Sequence, residues 1–135
     1  MKIFLTGKNG QLGYRLEKDL KQIHEVIATD RDNLDLLDIQ LIKDRVYQVK
    51  PDLIINAAAY TNVDQAEKEK DLAYQVNTLA PKVLAKTAKA LNIPIIHIST
   101  DYIFDGLILV QVLERINGSN CKGCYIFFSS DSFNN

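Results

Sequence analysis

The chain has 135 residues and a formal net charge of −1, with 47% apolar and 24% charged side chains. That length suits one soluble domain with a buried core. A near-zero charge excludes the basic footprint of a nucleic-acid binder or of a protein drawn to anionic membrane. No apolar run approaches a membrane span and the amino terminus lacks a secretion-signal layout, so the expected setting is cytoplasmic.

Residues 2–6 (KIFLT) read as a short buried strand that runs straight into the glycine-rich string GKNGQLG at 7–13. Leu12, Leu16 and Leu20 recur at helical spacing, so a helix is expected over 11–20, starting inside that string. EVIAT at 25–29 is a second strand, closed by Asp30 and Arg31. An amphipathic helix is expected over 40–49, ended by Pro51. DLIINAAA at 52–59 is a third strand running into small residues.

One long helical stretch is expected over 65–91, with a single apolar face and a kink or break at Pro81. PIIHIS at 94–99 is the fourth strand, in which His97 is read as a packed core residue rather than a base. Strands alternating with helices predict an α/β fold, a Rossmann-like doubly wound parallel sheet with about four recognisable strands.

The pattern stops at Gly106. Residues 107–135 form an atypical tail whose end, FFSSDSFNN, has the composition of a frayed terminus. The break in register suggests a frameshift or truncation, dividing the chain into a nucleotide-binding domain at 1–106 and this tail. The fourth strand would then lack an outer neighbour, with LILV and YIFF of the tail as the apolar segments available to it. Cys121 and Cys124 form a lone C-x-x-C; His24 and His97 are the only histidines, so no second pair completes a zinc site, and the two thiols read as incidental.

The glycine string carries the chemistry. After a strand and at the start of a helix, the first glycine permits a tight turn. The second leaves room for a pyrophosphate, and the third lets helix and sheet approach closely. The helix amino terminus offers unpaired N–H groups to phosphates. Asp30 stands where a carboxylate would bond an adenosine ribose. Asp30 favours the free 2′-hydroxyl of NAD, whereas Arg31 could pair with the 2′-phosphate of NADP, so both NADH and NADPH stay open. Thr100 falls just past the fourth strand, on the edge where α/β sheets bind ligands. A hydroxyl there either donates to a substrate carbonyl as charge develops or caps a turn together with Ser99.

Taken together, GKNGQLG, ATDRDNLDLLD, PDLIINAAAYTNVDQAE, the asparagine of AYQVNTLA and ISTDYIFDG resemble the amino-terminal part of the dTDP-4-dehydrorhamnose reductase family, within the extended short-chain dehydrogenase/reductases. The likeness runs over residues 1–106. It implies that Gly7, Gly10, Gln11, Leu12 and Gly13 line the pyrophosphate and that Asp30 and Arg31 meet the adenosine ribose. It further implies Asp38 and Ile39 beside the adenine, and Ala59, Tyr60 and Thr61 along the cofactor. Val63, Asp64 and Tyr102 would contact the sugar nucleotide, and Thr100 would bond the keto oxygen. The family reaction is hydride transfer from NADPH or NADH to C4 of a dTDP-linked 4-keto-deoxysugar.

The resemblance also implies a Tyr-x-x-x-Lys pair soon after STDY, where the tyrosine gives up a proton and the lysine lowers its pKa. Beyond Gly106 the chain has only Tyr125, with Ser at 129. Tyr14 and Lys18 have the spacing but fall on the first helix, where a solvated face explains them. The sequence therefore predicts nucleotide binding with impaired catalysis; a non-catalytic nucleotide-binding or regulatory protein is the alternative.

Overall fold

A computed structural model describes residues 1–99 and 124–128. Five parallel strands form one sheet: β1 (Lys2–Thr6), β2 (Glu25–Thr29), β3 (Leu53–Asn56), β4 (Ile95–Ser99) and β5 (Cys124–Phe128). Their order is β2-β1-β3-β4-β5. The chain leaves β1 toward one side of the sheet to form β2 and returns to form β3 on the other. The topological switch point thus lies between β1 and β3, and open α/β sheets bind ligands beyond the strand ends there.

Alternation along the strands builds a core on each face. Phe4, Ile54 and Ile95 point to one face and pack against Ile42 and Val46 of α2 (Ile39–Val49) and Val83, Leu84 and Ala88 of α5 (Ala80–Leu91). Ile3, Leu5 and Ile55 point to the other, where Leu16 and Leu20 of α1 (Gln11–Leu20) cover them. A period of two in the strands against a helical period in the covering elements makes both contacts from one sequence.

The helix bounds have local causes. The Asp38 side chain caps α2 by accepting from the Leu41 N–H at 2.9 Å. Lys50 closes the helix in the left-handed conformation (φ 50°) just before Pro51. Asn92 closes α5 in the same way, at φ 55°.

The single helix expected over 65–91 is instead four pieces: α3 (Val63–Lys68), α4 (Lys70–Tyr74), a π-helical turn (Gln75–Leu79) and α5. Glu69 breaks the first junction with non-helical dihedrals (φ −117°, ψ 51°). The second has its cause in Pro81, which sits in the first turn of α5 and brings no N–H to the ladder; the preceding turn widens to accommodate the loss.

The tail gives a second difference. Phe127 and Phe128, read with a frayed terminus, belong to β5, which pairs with β4 from Ile95↔Cys124 to Ser99↔Phe128. The YIFF segment therefore occupies the outer side of β4. LILV lies outside the described residues.

Candidate functional site

The three glycines of the loop have three distinct geometries. Gly7 leaves β1 at φ +80°, and a Cβ there would lie 2.7 Å from the Ala58 nitrogen and 2.8 Å from the Ala57 carbonyl. A Cβ on Gly13 would come within 1.9 Å of the Gly7 oxygen, so only glycine lets α1 start against the loop. Gly10 is different: its Cβ would meet nothing closer than the Gly7 oxygen at 3.4 Å. Its missing side chain keeps open space open. Two glycines serve packing and one serves access.

Backbone bonds fix this loop to the next strand. The Gly7 and Lys8 N–H groups both donate to the Thr29 oxygen, at 3.0 and 3.1 Å, and Gly10 N–H closes the turn on the Gly7 oxygen at 3.1 Å. Gly10 is also the N-cap of α1 and has no side chain to satisfy the helix start. The first N–H groups of a helix lack intrahelical partners and carry partial positive charge. Here they lie directly after Gly10, which lines the cleft described next.

A cleft of about 640 Å³ opens at this edge, within the size range of small-ligand sites. Gly7 and Gly10 form one wall, Ala57, Ala58 and Ala59 another, and Asp30 and Arg31 the far end. Leu34, Leu36 and Leu37 give that end apolar surface of the kind an adenine ring needs. These residues fit an extended nucleotide: small side chains and helix N–H groups at its middle, a carboxylate and a guanidinium at its ribose end, aliphatic groups beyond.

Asp30 is well anchored. Its Oδ2 lies 3.2 Å from Lys8 Nζ and accepts from Asn9 Nδ2 at 3.1 Å, while its Oδ1 accepts from the Asp32 N–H at 3.0 Å. Partial burial pushes the carboxyl up, but the Lys8 and Asp32 contacts outweigh it and hold the group below the usual carboxylate value.

The loop after β3 is built by side chains. Asn56, buried at the end of β3, accepts from Thr6 Oγ1 at 2.5 Å and from the Ala58 N–H at 3.2 Å. That use of its oxygen leaves the amide nitrogen to donate to His97 Nδ1 at 2.9 Å, so the imidazole is neutral with its proton on Nε2. Burial lowers the His97 pKa to about 4. His97 is packed, as expected.

Farther along, Asn77 in the π-helical turn embraces the backbone of Tyr60. It accepts from the Tyr60 N–H at 2.8 Å and donates to the Tyr60 carbonyl at 3.1 Å. The Tyr60 hydroxyl donates to Glu69 Oε2 at 2.6 Å, which raises the phenol pKa and lowers that of Glu69. Arg31 lies near enough to favour the charged form of both.

The sequence profile of the RmlD substrate binding domain family matches residues 1–115. The chain belongs to that family. A dTDP-4-dehydrorhamnose reductase from Sinorhizobium fredii is 40% identical over 115 residues, which is 85% of this chain and 39% of the relative. The crystal structure of a dTDP-4-dehydrorhamnose reductase from Clostridium acetobutylicum matches with a TM-score of 0.72 at 46% identity, covering 78% of this chain and 38% of that one. A dTDP-4-dehydrorhamnose reductase from Bacillus anthracis, solved in complex with NADP, matches with a TM-score of 0.71 at 39% identity, over 78% and 38% of the two chains. The chain thus spans about two fifths of the length of the relatives it matches.

The residues drawn from the family likeness separate by position. Gly7, Gly10, Asp30, Arg31 and Ala59 line the cleft. Gln11, Leu12 and Gly13 form the first turn of α1 beside it, with only Gly13 buried. Tyr60 and Thr61 follow the cleft wall, and Asp64 is exposed in the first turn of α3. Val63 opens that helix.

Of the pair expected beside adenine, Asp38 caps α2 and Ile39 packs on the core under β1 and β3; neither is among the residues that line the cleft. The aliphatic surface of the cleft comes from Leu34, Leu36 and Leu37. Thr100 and Tyr102 lie outside the described residues. Tyr14 and Lys18 are exposed on α1, in keeping with a solvated face. Sequence reasoning missed Lys8, Asn9, Glu69 and the clamp made by Asn77. The signal for Asn77 was present, since AYQVNTLA stood out among the family strings, but nothing local in it names Tyr60 as the partner.

Proposed function

We propose that this chain binds NADPH or NADH in the cleft at the β1/β3 switch point, as the nucleotide-holding part of a dTDP-4-dehydrorhamnose reductase. The observation that carries the reading is Gly10, the one loop glycine whose missing Cβ opens space instead of relieving a clash, directly beside the start of α1. Pyrophosphate oxygens would take the N–H groups of Gln11, Leu12 and Gly13, and the ribose would meet Asp30 and Arg31. The bound nicotinamide would supply the hydride.

The substrate class is a dTDP-linked 4-keto-deoxysugar, with Val63, Asp64 and Tyr102 as its contacts and Thr100 as donor to the keto oxygen. Support for these roles comes from the family likeness. The only Tyr-x-x-x-Lys spacing in these 135 residues is Tyr14/Lys18 on α1, and the part we assign to these residues is holding the nucleotide. That assignment gives 1–106 to the nucleotide and 107–135 to a tail whose Cys124–Phe128 adds the outer strand of the sheet. The setting proposed is the cytoplasm, where the relatives' nucleotide-sugar chemistry would draw on reduced cofactor.

Thermal unfolding of the 135-residue chain with and without each dinucleotide tests the reading. A ligand that binds only the folded state at about a hundred times its Kd adds roughly 2.7 kcal/mol. A midpoint raised by NADPH or NADH supports the proposal. A cooperative transition unmoved by either overturns it.

A further inference from the structure

Besides Arg31, which lines the ribose end of the cleft, a second cation bears on that end through Asp30, and the family likeness did not single it out. Lys8 reaches across from the glycine loop and places Nζ 3.2 Å from Asp30 Oδ2, with side-chain exposures of 28% for the lysine and 10% for the aspartate. The pair is sheltered, so its Coulomb energy is less diluted by water and salt than that of an open surface pair.

Charges around this end of the cleft make the pairing matter. Asp30, Asp32 and Asp35 line it together with Arg31. Arg31 also lies in the field of Glu69, which draws on the same guanidinium. Without Lys8 three carboxylates would face a single shared cation, and a phosphate on the ribose 2′ position would be repelled. With Lys8 held on Asp30, the carboxylate nearest the ribose is neutralised in place. Its Oδ1 accepts the Asp32 N–H, and a carboxylate oxygen has room for a further donor such as a ribose hydroxyl.

We infer that Lys8 sets the tolerance of this site for a 2′-phosphorylated nucleotide by neutralising Asp30. It acts through Asp30 as a positioning and charge-balancing residue. The lysine is suited to the task because its ammonium is a compact point charge on a flexible stem, able to stay on the carboxylate or turn toward a phosphate. The inference rests on the nucleotide reading above.

The test compares dissociation constants for NADPH and NADH, and for adenosine 2′,5′-bisphosphate and 5′-AMP as probes of the ribose end alone. Lys8→Met is expected to weaken the 2′-phosphorylated member of each pair by about tenfold while leaving the other within about threefold, and Lys8→Arg to restore the original ratio. Asp30→Asn, which frees Lys8, is expected to move the ratio the opposite way, toward the phosphorylated nucleotide. Equal weakening of both members in Lys8→Met would mark a structural role and overturn the inference. So would a ratio unmoved in both Lys8→Met and Asp30→Asn. Wild-type chain that binds none of the four would overturn the nucleotide reading itself, an outcome distinct from an unchanged ratio on a chain that binds.

Discussion

The two walls of the cleft are made by opposite means. The loop after β1 is shaped by missing side chains: Gly7 and Gly13 touch backbone so closely that no Cβ fits. The loop after β3 is shaped by side chains that are present: Asn56, Asn77 and Glu69 hold Ala58 and Tyr60 through directed hydrogen bonds. Steric exclusion is all-or-none, whereas a hydrogen-bonded loop is graded and can lose one contact at a time. On the proposed reading, the phosphates of a nucleotide would meet a rigid wall, and its other end one that substitutions can tune.

The sharpest way to break this contrast lies within the glycine wall. Gly13→Ala forces a Cβ against the Gly7 carbonyl and is expected to destabilise the chain by about 4 kcal/mol, the rare size that marks a backbone clash. Gly10→Ala, with nothing nearer than 3.4 Å, is expected to leave the unfolding midpoint almost unchanged and to abolish its rise with NADPH. Chemical denaturation and ligand-shifted melting separate the two. Similar losses of stability in both variants would show that the glycines do one job and not two.

On the other wall, Asn77→Ala leaves the Tyr60 N–H and carbonyl without their partner and is expected to cost about 2 kcal/mol. Urea unfolding reads this directly, and a loss near zero would show the clamp to be idle.

A pH series probes the same wall from beneath. The unfolded chain protonates His97 near 6.5, whereas the folded chain resists until about 4. The unfolded state then binds more protons across that interval, so stability is full above it and falls as the pH drops through it. The expected loss is about 2 kcal/mol by pH 4.5, allowing for the ring's partial exposure. His97→Asn, whose side-chain oxygen can accept from Asn56, should flatten that slope.

The smallest effect expected is that of Tyr60→Phe, which removes the hydroxyl from Glu69. The Glu69 pKa is lowered from 4.5 in the fold, so its contribution is present above that value and lost as the pH falls through the lowered one. The variant should lose part of this acid dependence, visible as a shallower fall of the melting midpoint below about pH 4.5.

The first wall was legible in the sequence and the second was not, for a physical reason. A strand, a glycine turn and a helix start are consecutive, and their requirements are written within a few residues. Strand and helix faces likewise follow from alternation and helical spacing, which is why Phe4 and Ile3 sort to opposite cores. The Asn77–Tyr60 clamp joins positions 17 apart, and the Asn56–His97 bond joins positions 41 apart. Nothing in either local string specifies the partner. Pro81 was visible as a disturbance, but its effect depends on how the preceding turn rearranges, and the widening over Gln75–Leu79 has no signature in apolar spacing. The strand at Cys124–Phe128 was hidden for a related reason, since its place is set by the open side of β4 and not by its own flanks.

The widened turn before α5 also sets a rule for how this chain tolerates insertion and deletion. An α-helix advances about 100° per residue, so removing one residue from Gln75–Leu79 would restore regular winding while rotating whatever precedes it by that angle relative to α5. The core-facing side chains of α5 would keep their places, yet Asn77 would swing away from Tyr60. Helical regularity and the grip on the cleft wall are therefore mutually exclusive in this segment, and a shortened chain would gain an unbroken helix at the cost of its hold on the loop.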